Sequence, residues 1–220
     1  MGGFFNLDGP FYKFGNTVWD IMALSMLWFF FSIPIFTIGA SSTALFYITT
    51  RRLSKKEGYI TRDFWISFKQ NFKQSTKIWL SVMAIGILLI SNLYFMLFKT
   101  EQLNMPPTML AIMLPLQALF LIELCLFSLY AFPIISRFEI RGKMLIKTTM
   151  LMAHKHLPTT ILLAALFAII VITMLYGGQI LILLFGAGIY AYCASHLLVR
   201  LFKKYRPEID KDEEMEALNI

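Results

Sequence analysis

Charge is scarce in this chain. Asp, Glu, Lys and Arg make up 15% of its 220 residues, while 58% are hydrophobic. Soluble domains carry about 25% charged residues. A soluble domain this apolar would aggregate, so the composition excludes an ordinary aqueous fold. Cysteine is nearly absent. Cys125 and Cys193 both fall inside apolar runs, which excludes a disulfide framework and leaves them as small packing residues. Histidine is equally rare. His154 and His156 are two apart and do not share a helical face, and His196 stands alone near the end of an apolar run. No metal site is therefore expected. The chain lacks HExxH, GxSxG and GxxxxGK[ST] motifs. Ser195 and His196 are neighbours, yet on a helix they point about 100° apart. The reading is a protein that is not an enzyme and takes no cofactor. No basic n-region and cleavage site marks a leader peptide, and Asn6 stands where a myristoylation motif needs Ser or Thr.

Long apolar runs are what the chain does have. They lie at 18–38, 78–98, 109–136, 159–176 and 180–199. Crossing about 30 Å of hydrocarbon takes roughly 20 helical residues. The expected fold class is all-α: a polytopic transmembrane helical bundle of about five spans, with two cytoplasmic amphipathic interfacial helices. Residues 1–16 read as an aromatic interfacial segment, 17–205 as the transmembrane domain and 206–220 as an acidic cytoplasmic tail.

The position of charge sets the expected topology. Lys and Arg cluster after the first, third and fifth runs, and only Lys13 and Lys99 of the 20 basic residues lie elsewhere. Short cytoplasmic loops hold positive charge. The N-terminus is therefore expected outside and the C-terminus in the cytoplasm of a multi-pass bacterial cell-membrane protein. The formal charge of +7 faces the lipid bilayer, and no nucleic acid is needed to explain it.

Within the runs, Pro34 and Gly39 mark a helix break, because proline removes a helix hydrogen bond and glycine frees the backbone. The stretch from this break to residue 50 has three open placements: crossing the bilayer, re-entering it or lying on it. Phe64, Trp65, Phe68 and Phe72 recur at helical spacing opposite Lys69, Gln70 and Lys73. They predict an interfacial helix with its aromatic face toward lipid or the bundle. The basic stretch 141–156 repeats the design before the fourth run.

Glu123 is the sharpest functional candidate. It lies mid-run in Leu121-Ile122-Glu123-Leu124, with no basic residue at its depth in any run. A charge at the bilayer centre costs about 2.5–3.5 kcal/mol even on the lenient insertion scale. Glu123 is thus either a proton or cation site or a protonated acid bonded to a neighbouring helix. Pro115, Gln117 and Pro133 flank it and predict a kinked helix. Asp20, Asn92 and Gln179 lie near the outer level. With Tyr176 they are candidates for lining a shallow extracellular site, Asp20 alternatively serving a helix N-terminus.

The stretches Phe5-Asn6-Leu7-Asp8-Gly9-Pro10-Phe11-Tyr12-Lys13-Phe14-Gly15-Asn16 and Ser32-Ile33-Pro34-Ile35-Phe36-Thr37-Ile38-Gly39-Ala40-Ser41 resemble the YesL-type family of bacterial integral membrane proteins. Gly58-Tyr59-Ile60, Phe68-Lys69-Gln70-Asn71-Phe72-Lys73-Gln74 and His156-Leu157-Pro158-Thr159-Thr160 follow in order. The family has no known function. The resemblance implies a Gram-positive setting, with genes commonly near carbohydrate ABC importers and two-component sensors. The expected function is that of a non-enzymatic membrane accessory protein associated with a carbohydrate ABC importer, its partners being permease subunits. The alternatives are a small proton- or ion-coupled transporter using Glu123, and a membrane partner of a sensor kinase.

Overall fold

Helix is the only regular structure among the described residues, as the 3.6-residue spacing of apolar side chains requires. The computed structural model describes residues 10–53, 59–99, 106–140 and 142–205, and their side chains except at 10–13, 52 and 53. Seven helices follow one another: α1 (Pro10–Ser32), α2 (Ile38–Leu53), α3 (Ile60–Phe98), α4 (Pro107–Arg137), α5 (Gly142–Lys155), α6 (Leu157–Leu175) and α7 (Gln179–Tyr205). Five of them are long and apolar enough to cross a membrane: α1 from Phe14, α3, α4, α6 and α7. The chain is thus a multi-pass helical membrane protein. Residues 10–16 belong to α1, while the rest of the N-terminal segment and the acidic tail lie outside the described residues.

The chain changes course between Ser32 and Ile38. Pro34 is extended (φ −73, ψ 108), and a single 3-10 turn, Ile35–Thr37, leads into α2. Thr37 caps the turn, its hydroxyl contacting the carbonyls of Phe31 and Pro34. α2 is not among the helices of spanning length. Nor is it a surface helix: Ala40, Ala44, Leu45, Phe46 and Ile48 are buried, and so are Ser41, Thr43, Thr49 and Thr50. It is a central helix about 24 Å long, packed against α3, α4 and α7.

A polar helix can occupy the core because its hydroxyls are satisfied. Thr43 and Thr49 donate to the carbonyls one turn back, at Gly39 and Leu45. A threonine has one hydroxyl proton and a carbonyl only accepts. Ser75 of α3 must therefore donate to Thr43 (2.8 Å), and Ser195 of α7 to Thr49 (2.7 Å). Glycine closes the contact. A Cβ at Gly39 would stand 2.6 Å from the Ser75 carbonyl oxygen and 2.7 Å from Trp79 Cβ.

These pairs fix directions. Thr43 meets Ser75 and Arg51 lies 3.8 Å from Asp63, so α2 runs antiparallel to α3. Phe46 meets Tyr190 and Thr49 meets Ser195, so α2 runs with α7. α1 runs the same way: Ser25 accepts from the Gly188 amide, and Phe31 packs on Phe64 and Phe68. The start of α3 and the end of α7 therefore share one end of the bundle, and the start of α1 lies at the other.

In α3 the expected interfacial helix and the second span are one continuous helix. Nothing in Gln74-Ser75-Thr76-Lys77 breaks a helix, and 39 residues run without interruption for about 58 Å. The aromatic stripe faces the bundle. Phe64 and Phe68 are buried, Phe72 packs on Phe68 and is partly buried, and Trp65 remains exposed with the Lys69 ammonium 4.6 Å from its ring centroid. α5 does form an amphipathic helix, burying Leu145, Thr149, Met152 and Ala153.

Candidate functional site

α4 remains helical through Pro115 and Pro133 and carries Glu123 on its partly exposed flank. After Arg137 the chain turns, with Gly142 at φ +61 in the left-handed region that glycine tolerates best. α5 then retraces the last turns of α4. Gly142 lies near the end of α4, and His154, at the far end of α5, meets Glu123, fourteen residues back from Arg137. The carboxylate that had no evident partner in sequence is therefore paired. His154 Nε2 lies 3.0 Å from Glu123 Oε1.

Proton positions follow from the acceptors. His154 Nδ1 is 2.9 Å from the Met150 carbonyl, so Nδ1 carries a hydrogen and donates. The bond from Nε2 to Glu123 then needs one further proton. Placed on the histidine it gives an imidazolium–carboxylate pair, and placed on the acid it gives a neutral pair. Both arrangements have no net charge, which removes the cost of an isolated carboxylate at this depth. The Met150 carbonyl first, and then Glu123, hold the His154 pKa above its ordinary value. The signal missed in sequence was the return of α5 along α4. An ionisable residue in a span demands a partner, and His154 is among the ionisable side chains that this return brings close.

A second histidine contact lies nearby in sequence. His156 Nε2 is 2.7 Å from the Tyr205 hydroxyl, and the Lys155 ammonium stands 5.3 Å from the same ring centroid. Burial first, then Lys204 and Lys155, depress the His156 pKa. Buried hydroxyl contacts join other helices: Tyr130 donates to Thr160, whose own proton goes to the Ala153 carbonyl. Gln117 is buried and donates to the Leu89 carbonyl, tying α4 to α3.

The remaining sequence candidates do not converge. Asp20 is half-buried more than two turns inside α1, too far from Pro10 to serve the helix N-terminus. Asn92 is exposed on α3, whereas Gln179 and Tyr176 are exposed around the turn between α6 and α7. No hydrogen bond joins Asn92 to Gln179 or Tyr176 among the described residues. Pro34 and Gly39 shape the entry to α2, and Phe64, Phe68 and Phe72 serve packing. No group of three His, Cys, Asp or Glu side chains able to hold a metal ion occurs among the described residues.

Residues 21–93 match a family model described as a protein of unknown function, DUF624. No curated protein and no solved structure matches the chain. The matched third takes in the second half of α1, the buried α2 and most of α3, and it ends before Glu123 and His154. The chain is thus a multi-pass helical membrane protein with a segment similar to a family of unknown function.

Proposed function

We propose that this chain is a non-enzymatic membrane accessory protein that packs against the permease subunits of a carbohydrate ABC importer. The observation that carries the reading is the division of labour along the helices. Buried packing concentrates around α2, whereas α6 leaves Ile161, Leu162, Phe167, Ile169, Ile172, Met174 and Leu175 exposed. The outer half of α3 is exposed in the same way, at Ile85, Ile87, Leu88 and Ile90, and such faces are offered to other spans or solvated by lipid. The resemblance to YesL-type proteins, with its importer setting, supplies the partner class, and the DUF624 match agrees with that resemblance. Affinity purification from the native membrane in mild detergent tests it. Recovery of permease subunits supports the reading. Recovery of a sensor kinase alone replaces it with the kinase-partner alternative.

The Glu123–His154 pair favours a second reading, proton-coupled transport. A shared proton at the junction of a span and a peripheral helix is what such coupling needs. Proton flux into proteoliposomes that is lost in Glu123→Gln supports this reading, and no flux from the intact chain rejects it.

A further inference from the structure

We propose that the exposed face of α3 seats an anionic phospholipid, its phosphate at Lys73 and Lys77 and its acyl chains on Leu80, Ala84 and Leu88. At about 100° per residue, these five residues fall within an arc of about 80°, and all five are exposed. Nothing interrupts the face, because the helix is continuous from Ile60 to Phe98. Toward the start of α3 the face is basic, and no carboxylate among the described residues pairs with Lys69, Lys73 or Lys77. Toward the end of α3 the same face is apolar, with Leu80 and Leu88 45% and 70% exposed.

The length of the charge-free stretch fixes the depth. Residues 78–98 hold no charged side chain, and they rise about 31 Å, which matches the roughly 30 Å of hydrocarbon. Lys77 and Lys99 therefore stand at the two boundaries. Headgroups add about 5–7 Å on each side. Lys73 is one turn beyond Lys77, about 6 Å further out and inside that layer. Lys69 lies about 12 Å out, past the headgroups, and its ammonium stands over the Trp65 ring. Two ammonium groups at phosphate depth, with a bare apolar stripe directly beneath them, match an amphiphile with a negative head. A soluble anion would use the lysines alone. An acidic soluble protein would leave the apolar half uncovered. A zwitterionic lipid fits the stripe, but its own ammonium offsets the phosphate charge that draws lysines to an anionic surface.

The experiment is native mass spectrometry of the full chain in neutral detergent, titrated with phosphatidylglycerol or with phosphatidylcholine of the same acyl chains. The expected result is tighter retention of the first phosphatidylglycerol than of the first phosphatidylcholine. Lys73→Gln and Lys77→Gln should each weaken that retention about five-fold, the worth of one lysine beside an anionic surface. Lys77→Arg keeps the charge and should bind like the unaltered chain. Lys69→Gln, beyond the headgroup layer, should change little. Equal retention of the two lipids overturns the proposal. So does undiminished retention when Lys73→Gln and Lys77→Gln are combined, or a loss in Lys69→Gln as large as in Lys77→Gln. Displacement of bound phosphatidylglycerol by an equal concentration of glycerol phosphate, the headgroup without chains, also overturns it and marks a site for a soluble anion instead.

Discussion

At the scale of single residues, proton bookkeeping decides what the polar groups can do. Thr43, Thr49 and Thr160 each give their hydroxyl proton to a carbonyl and receive one from a serine or tyrosine on another helix. Each such bond contributes about 0.5–1.5 kcal/mol net, and an unmade one costs about 1–3 kcal/mol. Glu123 and His154 obey the same accounting with one proton more, which makes their bond depend on pH. The His154 pKa is raised in the folded chain, so the pair's contribution is complete below the ordinary histidine value of about 6.5. It is lost as pH climbs through the raised value, when a carboxylate faces a ring nitrogen with no proton between them. Glu123→Gln removes the share of that dependence that comes from Glu123, because the amide donates to neutral Nε2, and leaves the larger share of the Met150 carbonyl. Melting curves in one detergent should therefore show wild-type Tm declining from mildly acidic to mildly alkaline pH, while Glu123→Gln declines less steeply. Parallel curves would show that the pair does not titrate in this range.

At the scale of elements, what could be read in sequence was what neighbouring residues decide. Pro34 and Gly39 act on their own backbone, and the end of α1 at Ser32 and start of α2 at Ile38 follow from them. The placement of α2 does not follow locally. Its serines and threonines look like surface residues until Ser75 and Ser195, the latter 146 residues beyond Thr49, arrive to satisfy them. For the same reason the aromatic stripe of α3 was legible as a stripe but not as a core contact, since Phe31 supplies its partner. Close approach at Gly39 gives this arrangement a test. In Gly39→Ala the new methyl meets the Ser75 carbonyl and Trp79 Cβ at under 3 Å, the first a backbone atom of α3 and the second bonded directly to that backbone. Overpacking of this kind costs about 1–3 kcal/mol. Gly86→Ala is the control. Its Cβ would rest 3.6 Å from Leu124 Cδ2, an ordinary contact, and alanine improves helix propensity by about 1 kcal/mol. Thermal melts should show Gly39→Ala clearly destabilised and Gly86→Ala unchanged or more stable. Equal melting of the two variants would place α2 away from α3.

At the scale of the molecule, two independent lines bear on topology. Lysine and arginine cluster after the first, third and fifth apolar runs. Helix pairing separately puts the start of α3 and the end of α7 at one end of the bundle, with the start of α1 at the other. Five crossings satisfy both, and the positive-inside rule then predicts that labelling will find the basic end in the cytoplasm. The number of spans was legible because twenty apolar residues in a row have few alternatives. The central helix between the first two spans was not, because its length and polarity match a loop as well as a core. Single cysteines introduced into a background without Cys125 and Cys193 test the whole arrangement. With an impermeant reagent on intact cells, Asn16→Cys and Tyr176→Cys should label readily. Lys69→Cys and Lys147→Cys should label only after permeabilisation. Labelling of Asn16→Cys together with Lys69→Cys on one side would require an even number of crossings between them. It would then force α2 across the bilayer, against the buried hydroxyl pairs that hold it beside α3 and α7.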